Sequence, residues 1–443
     1  MSGYVKRMSR HGLRIGRTSG GRRFRAESPD LMNSRAQRLL IFLSFAAFIS
    51  LGLPDGVLGV AWPSIRRELS VPIDRLGLLL TSSMIGYLLS TALSGEVVRR
   101  LGVGKLLLFS TGLVVVSLAG YAAAPSWAVF IALGVLAGLG AGAIDAGINS
   151  FAAANFRPGI LSWLHACYGI GATAGPLTMT SIIAGGLSWR VGYGTLAAVL
   201  ALMGLLFLLT LRLWDATPAS SAAGNAVNAT AAQALRRPMV WLHILIFFIY
   251  TGIEVTAGQW LFSVFTESRF MSVGVAGTCV GLYWGGLTAG RVVFGLLAER
   301  LSATSMIRIG VLAAPLAAAI LILRPGAIIT AAACAALGFS LAPIYPMLIS
   351  ITPVRLGATY AAQAIGFQVA AAYLGSAALP TAAGIVAKRG GLEHVCPFIV
   401  VSCFTLLLLH ELAIRVTPAH ARQTKASAPA DGTDASIPTT NQG

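Results

Sequence analysis

The sequence predicts an all-α membrane protein with twelve transmembrane helices in two pseudo-symmetric six-helix bundles. Three observations predict this fold class. The 443 residues are 56% hydrophobic and 11% charged, with a mean hydropathy of +0.78, whereas soluble domains carry about 25% charged residues. Apolar runs long enough to cross a bilayer recur along the chain. Similar sequence patterns also repeat at an offset of 200 residues.

About twelve apolar runs are present, each with room for the roughly 20 residues that cross a bilayer as helix. The runs are continuously apolar and do not alternate at every second residue, so they do not fit the strands of an outer-membrane barrel. The predicted spans are 38–61, 76–96, 105–123, 127–151, 163–184, 191–212, 240–263, 274–298, 307–323, 326–351, 358–386 and 395–415.

The spans form two groups of six, because a stretch rich in Ala, Ser and Asn separates the sixth span from the seventh. Low-complexity stretches of this kind are typical of linkers. Translation from Met32 instead of Met1 would delete the basic N-terminal arm, and both starts stay open. The predicted organisation is a basic disordered cytoplasmic arm at 1–36, an N-terminal six-helix bundle at 37–214, a cytoplasmic linker at 215–238, a C-terminal six-helix bundle at 239–416 and a disordered cytoplasmic tail at 417–443.

The net charge of +17 does not indicate nucleic acid, because the basic residues lie mostly in loops and at the ends of the chain. Cytoplasmic loops of membrane proteins carry an excess of Lys and Arg. If both termini share one side, that side carries the basic arm and most of the loop arginines. We therefore expect a multi-pass protein of the inner (plasma) membrane with both termini cytoplasmic and no nucleic-acid partner.

A polar interruption of the fourth span is the first candidate for function. In AGAIDAGINSF, residues 141–151, Asp145 and Asn149 are four residues apart and share one helical face. A carboxylate near the centre of a bilayer costs about 2.5 to 3.5 kcal/mol, so such a residue usually faces a cavity or a partner. Asp145 is either a functional acid or a structural acid held by a neighbouring helix.

Two further acids lie inside apolar spans. Asp55 occurs in GLPDG, where the flanking glycines could also mark a helix bend that the acid caps. Glu254, in the seventh span, could bind substrate hydroxyls, carry a proton or pair with an arginine. Burial raises the pKa of a carboxyl group, which is what a proton carrier requires. The candidates for proton coupling are therefore Asp55, Asp145 and Glu254.

One cation and several hydrogen-bonding side chains complete the candidate site. Arg291 lies well inside the eighth span and must find an acid, a carbonyl or water. Pairing within or between the halves is the first interpretation, and a clamp on an anionic substrate is the second. Each of the remaining side chains could instead be packing within the bundle. The candidate substrate-binding residues are Asn149, Tyr168, Gln259, Trp260, Trp284, Tyr345, Gln363 and Gln368.

The repeat relates the two halves directly. SGEVVRRLG at 94–102 matches FGLLAERLS at 294–302, and GLGAGAIDAGINS at 138–150 lies opposite GFSLAPIYPMLIS at 338–350. Tyr345 then occupies the position of Asp145. Two related halves predict a substrate site between them near the midplane of the membrane.

These motifs resemble the major facilitator superfamily and, within it, the fucose-permease branch of sugar transporters. The superfamily signature is matched by GEVVRRLGVGK, although Arg99 stands at its acidic position and Gly104 at a basic one. The branch is matched by LHACYGIGATAGP, YTGIEVTAGQW, YWGGLTAGRVVFG and APIYP, in that order. The resemblance implies the major facilitator fold and a proton-coupled symporter that uses acids corresponding to Asp55 and Asp145. The candidate gate and structural residues are Gly95, Glu96, Arg99, Arg100, Arg291, Gly295, Glu299 and Arg300.

The sequence therefore predicts a secondary active transporter that moves a small solute, with a sugar as the candidate, together with protons. A proton-driven exporter of drugs or metabolites and a transporter-like membrane sensor are the alternatives. We expect no enzymatic activity, cofactor or metal, because no Walker loop, HExxH site or cysteine pattern is present. The expected partners are a small-molecule substrate, protons and the lipid bilayer, and the expected state is a monomer.

Overall fold

The computed structural model describes residues 34–156, 158–215 and 229–416. Within these ranges the regular elements are helices, and no strand occurs. The N-terminal half contains α1 (Ser34–Gly52), α2 (Val57–Glu68), α3 (Leu76–Leu101), α4 (Val103–Ala123), α5 (Trp127–Asn155), α6 (Pro158–Ala184) and α7 (Trp189–Asp215). The C-terminal half contains α8 (Ala231–Leu235), α9 (Pro238–Ser263), α10 (Val273–Leu297), α11 (Ala303–Ile322), α12 (Ala327–Leu341), α13 (Ile344–Leu356), α14 (Ala358–Gly390) and α15 (Val395–Val416).

Eleven helical stretches in the described ranges are long and apolar enough to cross a membrane. Two of them combine consecutive helices, α1 with α2 and α12 with α13. The remaining crossing is α6, whose 27 residues would extend about 40 Å. It is rich in Gly, Ala and Thr and packs between α1 and α10. The predicted all-α fold with twelve transmembrane segments is confirmed.

The regions predicted to lie outside the membrane are described only in part. Most of the predicted arm, the centre of the predicted linker and the predicted tail are outside the described residues. The end of the predicted linker contains the short helix α8, which begins with a capping box formed by Thr230 and Gln233. Helix α1 begins at Ser34, so its first three residues lie in the predicted arm. Twelve crossings bring both ends of the described chain to one side, called here the terminal side, and the opposite side is called the far side.

The 200-residue repeat is present in three dimensions at two close helix contacts. A Cβ atom added to Gly138 of α5 would lie 1.9 Å from the carbonyl oxygen of Ser83 of α3. A Cβ atom added to Gly338 of α12 would lie 1.9 Å from the carbonyl oxygen of Tyr283 of α10. The two glycines differ by 200 in residue number, and so do the residues they contact. Small residues at these positions let the helix backbones approach closely, as in other membrane bundles.

The two halves are joined on the far side by ion pairs. Arg66 of α2 pairs with Glu267 at 2.7 Å, and Lys388 of α14 pairs with Asp74 at 3.1 Å. Of the ion pairs between described residues, these two connect the halves. On the terminal side, Gly95 and Gly295 are exposed, and an added Cβ atom would meet nothing within 4 Å. The described structure is therefore held closed on its far side.

A second connection between the halves runs along α6 and α10 and is called here the α6–α10 seam. The hydroxyl groups of Thr173 and Thr288 are 3.4 Å apart across it. A Cβ atom added to Gly169 would lie 2.4 Å from Thr288 Oγ1, and one added to Gly277 would lie 2.1 Å from the Thr180 side chain. Small side chains therefore bring the two helices into direct contact along the seam.

The contact at Gly338 gives a test of the packing. We expect Gly338→Ala to lower the free energy of unfolding by about 1 to 3 kcal/mol, because the new methyl group would overlap a backbone carbonyl that cannot move independently. Gly112→Ala is the matched control, since Gly112 is an exposed helical glycine with open space around it. Thermal unfolding of both purified variants in one detergent provides the measurement. Equal midpoints for the two variants would contradict the packing described here.

Candidate functional site

A break in the first membrane segment positions Asp55. Helix α1 ends at Gly52 and α2 begins at Val57. Pro54 cannot donate a backbone hydrogen bond, and Gly56 has a φ of 70°, which glycine adopts without steric cost. A Cβ atom on Gly56 would lie 2.5 Å from Trp284 Nε1, so the indole of α10 packs directly on this turn. The break places Asp55 between the halves.

The Asp55 carboxylate is exposed, and its Oδ2 accepts a hydrogen bond from the hydroxyl of Tyr168 on α6. The sequence left open whether the acid caps a bent helix. No side-chain capping bond is formed at the start of α2, and the carboxylate reaches α6 instead. Exposure at this depth means that Asp55 faces a space that water can enter.

Arg291 is the centre of a set of residues called here the arginine chain, which comprises Asp55, Tyr168, Arg291, Glu254 and Tyr250. The guanidinium carbon lies 5.9 Å from the centre of the Tyr168 ring, and Nη2 lies 3.6 Å from Glu254 Oε1. Glu254 Oε2 accepts a hydrogen bond from the Tyr250 hydroxyl. The Arg291 and Glu254 side chains are only 17% and 10% exposed, so each neutralises a charge that would otherwise be costly to bury.

Asp145 lies in a separate set of residues called here the tyrosine cluster, with Asn149, Tyr87 and Tyr373. Its Oδ1 accepts a hydrogen bond from Asn149 Nδ2 at 2.8 Å, which confirms that the two residues share a helical face. Its Oδ2 accepts a hydrogen bond from the Tyr87 hydroxyl at 2.5 Å and lies 3.5 Å from the Tyr373 hydroxyl. The Tyr373 hydroxyl also donates to that of Tyr87.

The tyrosine cluster connects the two halves, because Tyr87 belongs to α3 and Tyr373 to α14. Their rings pack with centroids 4.0 Å apart and planes inclined by 35°. Hydrogen-bond donors around a carboxylate favour its charged form. A movement that separates α14 from α3 would remove the donor that the C-terminal half supplies.

The other predicted substrate-binding residues have different surroundings. Gln259 is 6% exposed and its Oε1 has no hydrogen-bond partner, whereas Trp284 is 3% exposed and packs on the Gly56 turn. Tyr345 packs against Phe247, with ring centroids 5.1 Å apart. Gln363 is half-buried on α14.

The structure does not bring Trp260 and Gln368 to a cavity. Trp260 has no exposed surface, and its Nε1 donates to the carbonyl oxygen of Pro380 at 2.9 Å. Gln368 is also fully buried, and its amide contacts Thr352 and the His243 ring, with 2.8 Å between Gln368 Nε2 and His243 Nδ1. Both side chains use their polar atoms to join helices of the C-terminal half.

The predicted gate residues lie at the terminal ends of α3 and α10. Glu96 pairs with Arg99 and Arg100 of its own helix, each at 2.5 Å, and all three side chains are exposed. Glu299 and Arg300 are exposed just after α10. Glu96 is therefore the acid that pairs with these two arginines, and the pairing stays within one helix.

Sequence reasoning missed Tyr87 and Tyr373. Each lies inside an apolar run, where a tyrosine is most simply a packing residue. A signal was available on α3, where Ser83, Tyr87 and Ser90 recur at helical spacing and mark a polar stripe. For Tyr373 the partner is 286 residues away in the chain, and local pattern does not reveal it.

Metal binding has no support in the described ranges, because no group of three His, Cys, Asp or Glu residues is placed to hold an ion. The five cysteines are free thiols.

The polar groups gathered between the halves can bind hydrogen-bonding solutes and can accept or release protons at carboxylates. Two six-segment halves around such a site define a polytopic membrane transporter.

Comparison with known proteins identifies the family. The family model described as the Major Facilitator Superfamily matches residues 40–380. The chain belongs to this superfamily of membrane transporters and is a multi-pass membrane protein.

Two curated relatives are each 22% identical to the chain. They are the bypass of stop codon protein 6 of Saccharomyces cerevisiae, over 288 residues, and the glucose/mannose transporter GlcP of Bacillus subtilis, over 265 residues. The alignments cover 59% and 58% of this chain, and the chain spans 58% and 65% of the relatives' own lengths.

Solved structures show the same fold. The nucleoside transporter NupG, in a point-mutant form, has a TM-score of 0.71 at 15% identity, with 85% of this chain and 99% of that chain covered. The fucose:proton symporter FucP of E. coli, also in a point-mutant form, has a TM-score of 0.58 at 14% identity, with 86% and 99% covered. At these identities the likeness concerns the fold.

The arginine chain gives a test of the site's electrostatics. We expect Glu254→Gln to lower the free energy of unfolding by about 3 kcal/mol, because Arg291 would keep its charge in a buried place without its partner. The measurement is thermal unfolding of purified protein. Glu299→Gln, at an exposed acid, should leave the midpoint unchanged. The double variant Glu254→Gln/Arg291→Met should recover part of the loss, and a Glu254→Gln protein as stable as wild type would refute the pairing.

Proposed function

We propose that the protein is a proton-coupled transporter of a small solute, with a sugar as the first candidate, working by alternating access. The observation that carries the proposal is the pair of carboxylates, Asp55 and Asp145, held between the halves in different surroundings. Asp55 is exposed and has one tyrosine donor, whereas Asp145 is half-buried, accepts hydrogen bonds from Tyr87 and Asn149, and lies 3.5 Å from the Tyr373 hydroxyl. One acid is thus open to protons and solute while the other is held by protein groups.

Coupling follows from the helices that supply these donors. Asp145 and its donors Tyr87 and Asn149 belong to the N-terminal half, whereas Tyr373, which donates to the Tyr87 hydroxyl, belongs to the other half. When the halves rock, Tyr373 moves relative to Asp145, and the relative free energies of the charged and neutral carboxyl change. Proton binding at Asp145 is thereby linked to the conformation of the transporter. Glu254 acts in this scheme as the permanent partner of Arg291.

In the proposed topology, the protein lies in the inner membrane and its terminal side faces the cytoplasm. Basic residues on the far side are largely matched by acids, as in the pairs of Arg66 with Glu267, Arg190 with Glu68 and Arg269 with Glu393. The excess of arginine on the terminal side follows the positive-inside rule. With this orientation, the far-side ion pairs close the periplasmic face.

A sugar is supported by the hydrogen-bonding character of Asp55, Asn149 and Gln259 and by the similarity to two sugar transporters, the glucose/mannose transporter GlcP and the fucose:proton symporter FucP. Export of drugs or metabolites in exchange for protons is the second candidate, and the apolar residues around Asp55 favour it. Intact cells distinguish the two. Addition of substrate should make the medium more alkaline in proton symport, whereas an exporter produces no alkaline shift on addition of sugar.

The first test concerns Asp145. We expect Asp145→Asn to abolish accumulation driven by a pH gradient while solute exchange continues, because the amide keeps an oxygen for Tyr87 but cannot carry a proton. Uptake and counterflow in proteoliposomes measure the two activities separately. Concentrative uptake at the wild-type level would remove Asp145 from the coupling role.

The second test concerns the contribution of the C-terminal half. Tyr373→Phe keeps the ring but removes the donor, so we expect the pH of half-maximal uptake to shift by about one unit while the protein folds normally. Tyr360→Phe on the same helix is the control, because that hydroxyl lies 3.1 Å from Arg237 and away from the cluster. Identical pH profiles for both variants and wild type would refute the linkage.

A further inference from the structure

A cavity of about 160 Å³ lies mostly inside the N-terminal half, next to Asp55. Its walls come from α1, α2, α3, α4, α5 and α7 and from the break that carries Asp55. Among its lining residues, Gln259 is the one that belongs to the C-terminal half. Asp55 and Gln259 therefore mark the end of the cavity that adjoins the interface between the halves.

The interfacial end offers hydrogen-bond acceptors. One oxygen of the exposed Asp55 carboxylate accepts from Tyr168, so the other can receive a ligand. Gln259 is 6% exposed, lines the cavity and has an Oε1 without a partner. A buried amide oxygen without a hydrogen bond is unfavourable, so a ligand that donates to it gains affinity. A nearby hydroxyl, that of Ser50, is already used by donation to the carbonyl oxygen of Ala47.

The walls of the cavity away from the interface are mostly aliphatic and aromatic, and the hydroxyl-bearing residues among them are Ser83, Tyr121 and Tyr193. Val114 and Leu118 of α4, Ile144 of α5 and Leu200 of α7 belong to these walls, and each side chain is less than 5% exposed. An engineered apolar cavity of about 150 Å³ in another protein stays dry and binds benzene. A free hexose would place hydroxyl groups against these hydrocarbon walls, whereas a group of about six carbon atoms would fit them.

We propose that the solute is an amphipathic polyol, such as a glycoside with a compact aryl or alkyl group. Its hydroxyl groups bind Asp55 and Gln259, and its apolar group occupies the cavity in the N-terminal half. This inference rests on the proposed transport function and narrows its substrate class. It also accounts for the combination of one polar end and one mostly apolar end in a single cavity.

The test compares methyl and phenyl β-glycosides of D-glucose and D-mannose. The full chain is placed in lipid nanodiscs, because alkyl-glycoside detergents would compete for the same site, and affinities are measured by calorimetry. In at least one pair, the phenyl glycoside should bind about ten- to hundredfold more tightly than the methyl glycoside, because its ring leaves water. Equal affinities within each pair, or no binding by any member, would overturn the inference.

Two substitutions on one helix locate the apolar group. Val114→Phe fills the cavity and should abolish the preference for the phenyl glycoside while changing the affinity for the methyl glycoside less than about threefold. Val116→Phe is the matched control, because Val116 is 56% exposed on the outer face of α4. Loss of the preference in both variants, or in neither, would contradict this location.

Leu200→Ala provides the complementary variant should Val114→Phe fail to fold. The enlarged cavity should bind a naphthyl glycoside at least tenfold more tightly than wild type does, and an unchanged affinity counts against the proposal.

Proton-coupled uptake of the methyl glycosides separates the inferred substrate class from the proposed transport function. Uptake without a phenyl preference overturns only the substrate class, whereas absence of both binding and uptake for every glycoside also removes the proposed sugar transport.

Discussion

The buried charge of Arg291 is the constraint on which the centre of the molecule depends. A guanidinium group inside the membrane region must be neutralised, and here Glu254 on the neighbouring helix does so at 3.6 Å. The same guanidinium lies over Tyr168, whose hydroxyl holds Asp55. One cation thus links α10 and α9 to α6 and to the break in the first segment. The orientation of Asp55 toward the space between the halves is a consequence of these contacts.

The tyrosine cluster satisfies a different requirement. Asp145 has no arginine within its hydrogen-bonded set, so neutral donors surround its charge. Neutral donors stabilise a carboxylate less than a cation does, and such an acid can release or take up a proton when its surroundings change. The two acids of the N-terminal half therefore differ in what holds them, one bound by a single tyrosine that packs against the Arg291 guanidinium and the other among hydroxyl and amide groups.

Sequence pattern predicted the segments, the two halves and the face shared by Asp145 and Asn149, because all of these follow from hydrophobic length and helical spacing. It also aligned Gly138 with Gly338, and the structure shows equivalent close contacts at both. It left open a bend at GLPDG, and the structure divides the first segment there, at residues 53–56. Trp260 and Gln368 look like ligand-binding side chains in sequence, but their polar atoms are used inside the bundle.

The small side chains of the α6–α10 seam have a mechanical consequence. Glycine and threonine face each other where Gly169 meets Thr288 and where Gly277 meets Thr180, and the one longer side chain packed on a seam glycine in these contacts is Leu177, on Gly281. The α6–α10 seam can therefore serve as the pivot about which the two halves rotate. The energetic bias between the two orientations of the halves then resides in polar contacts distant from the pivot, where a small angular change produces a large displacement.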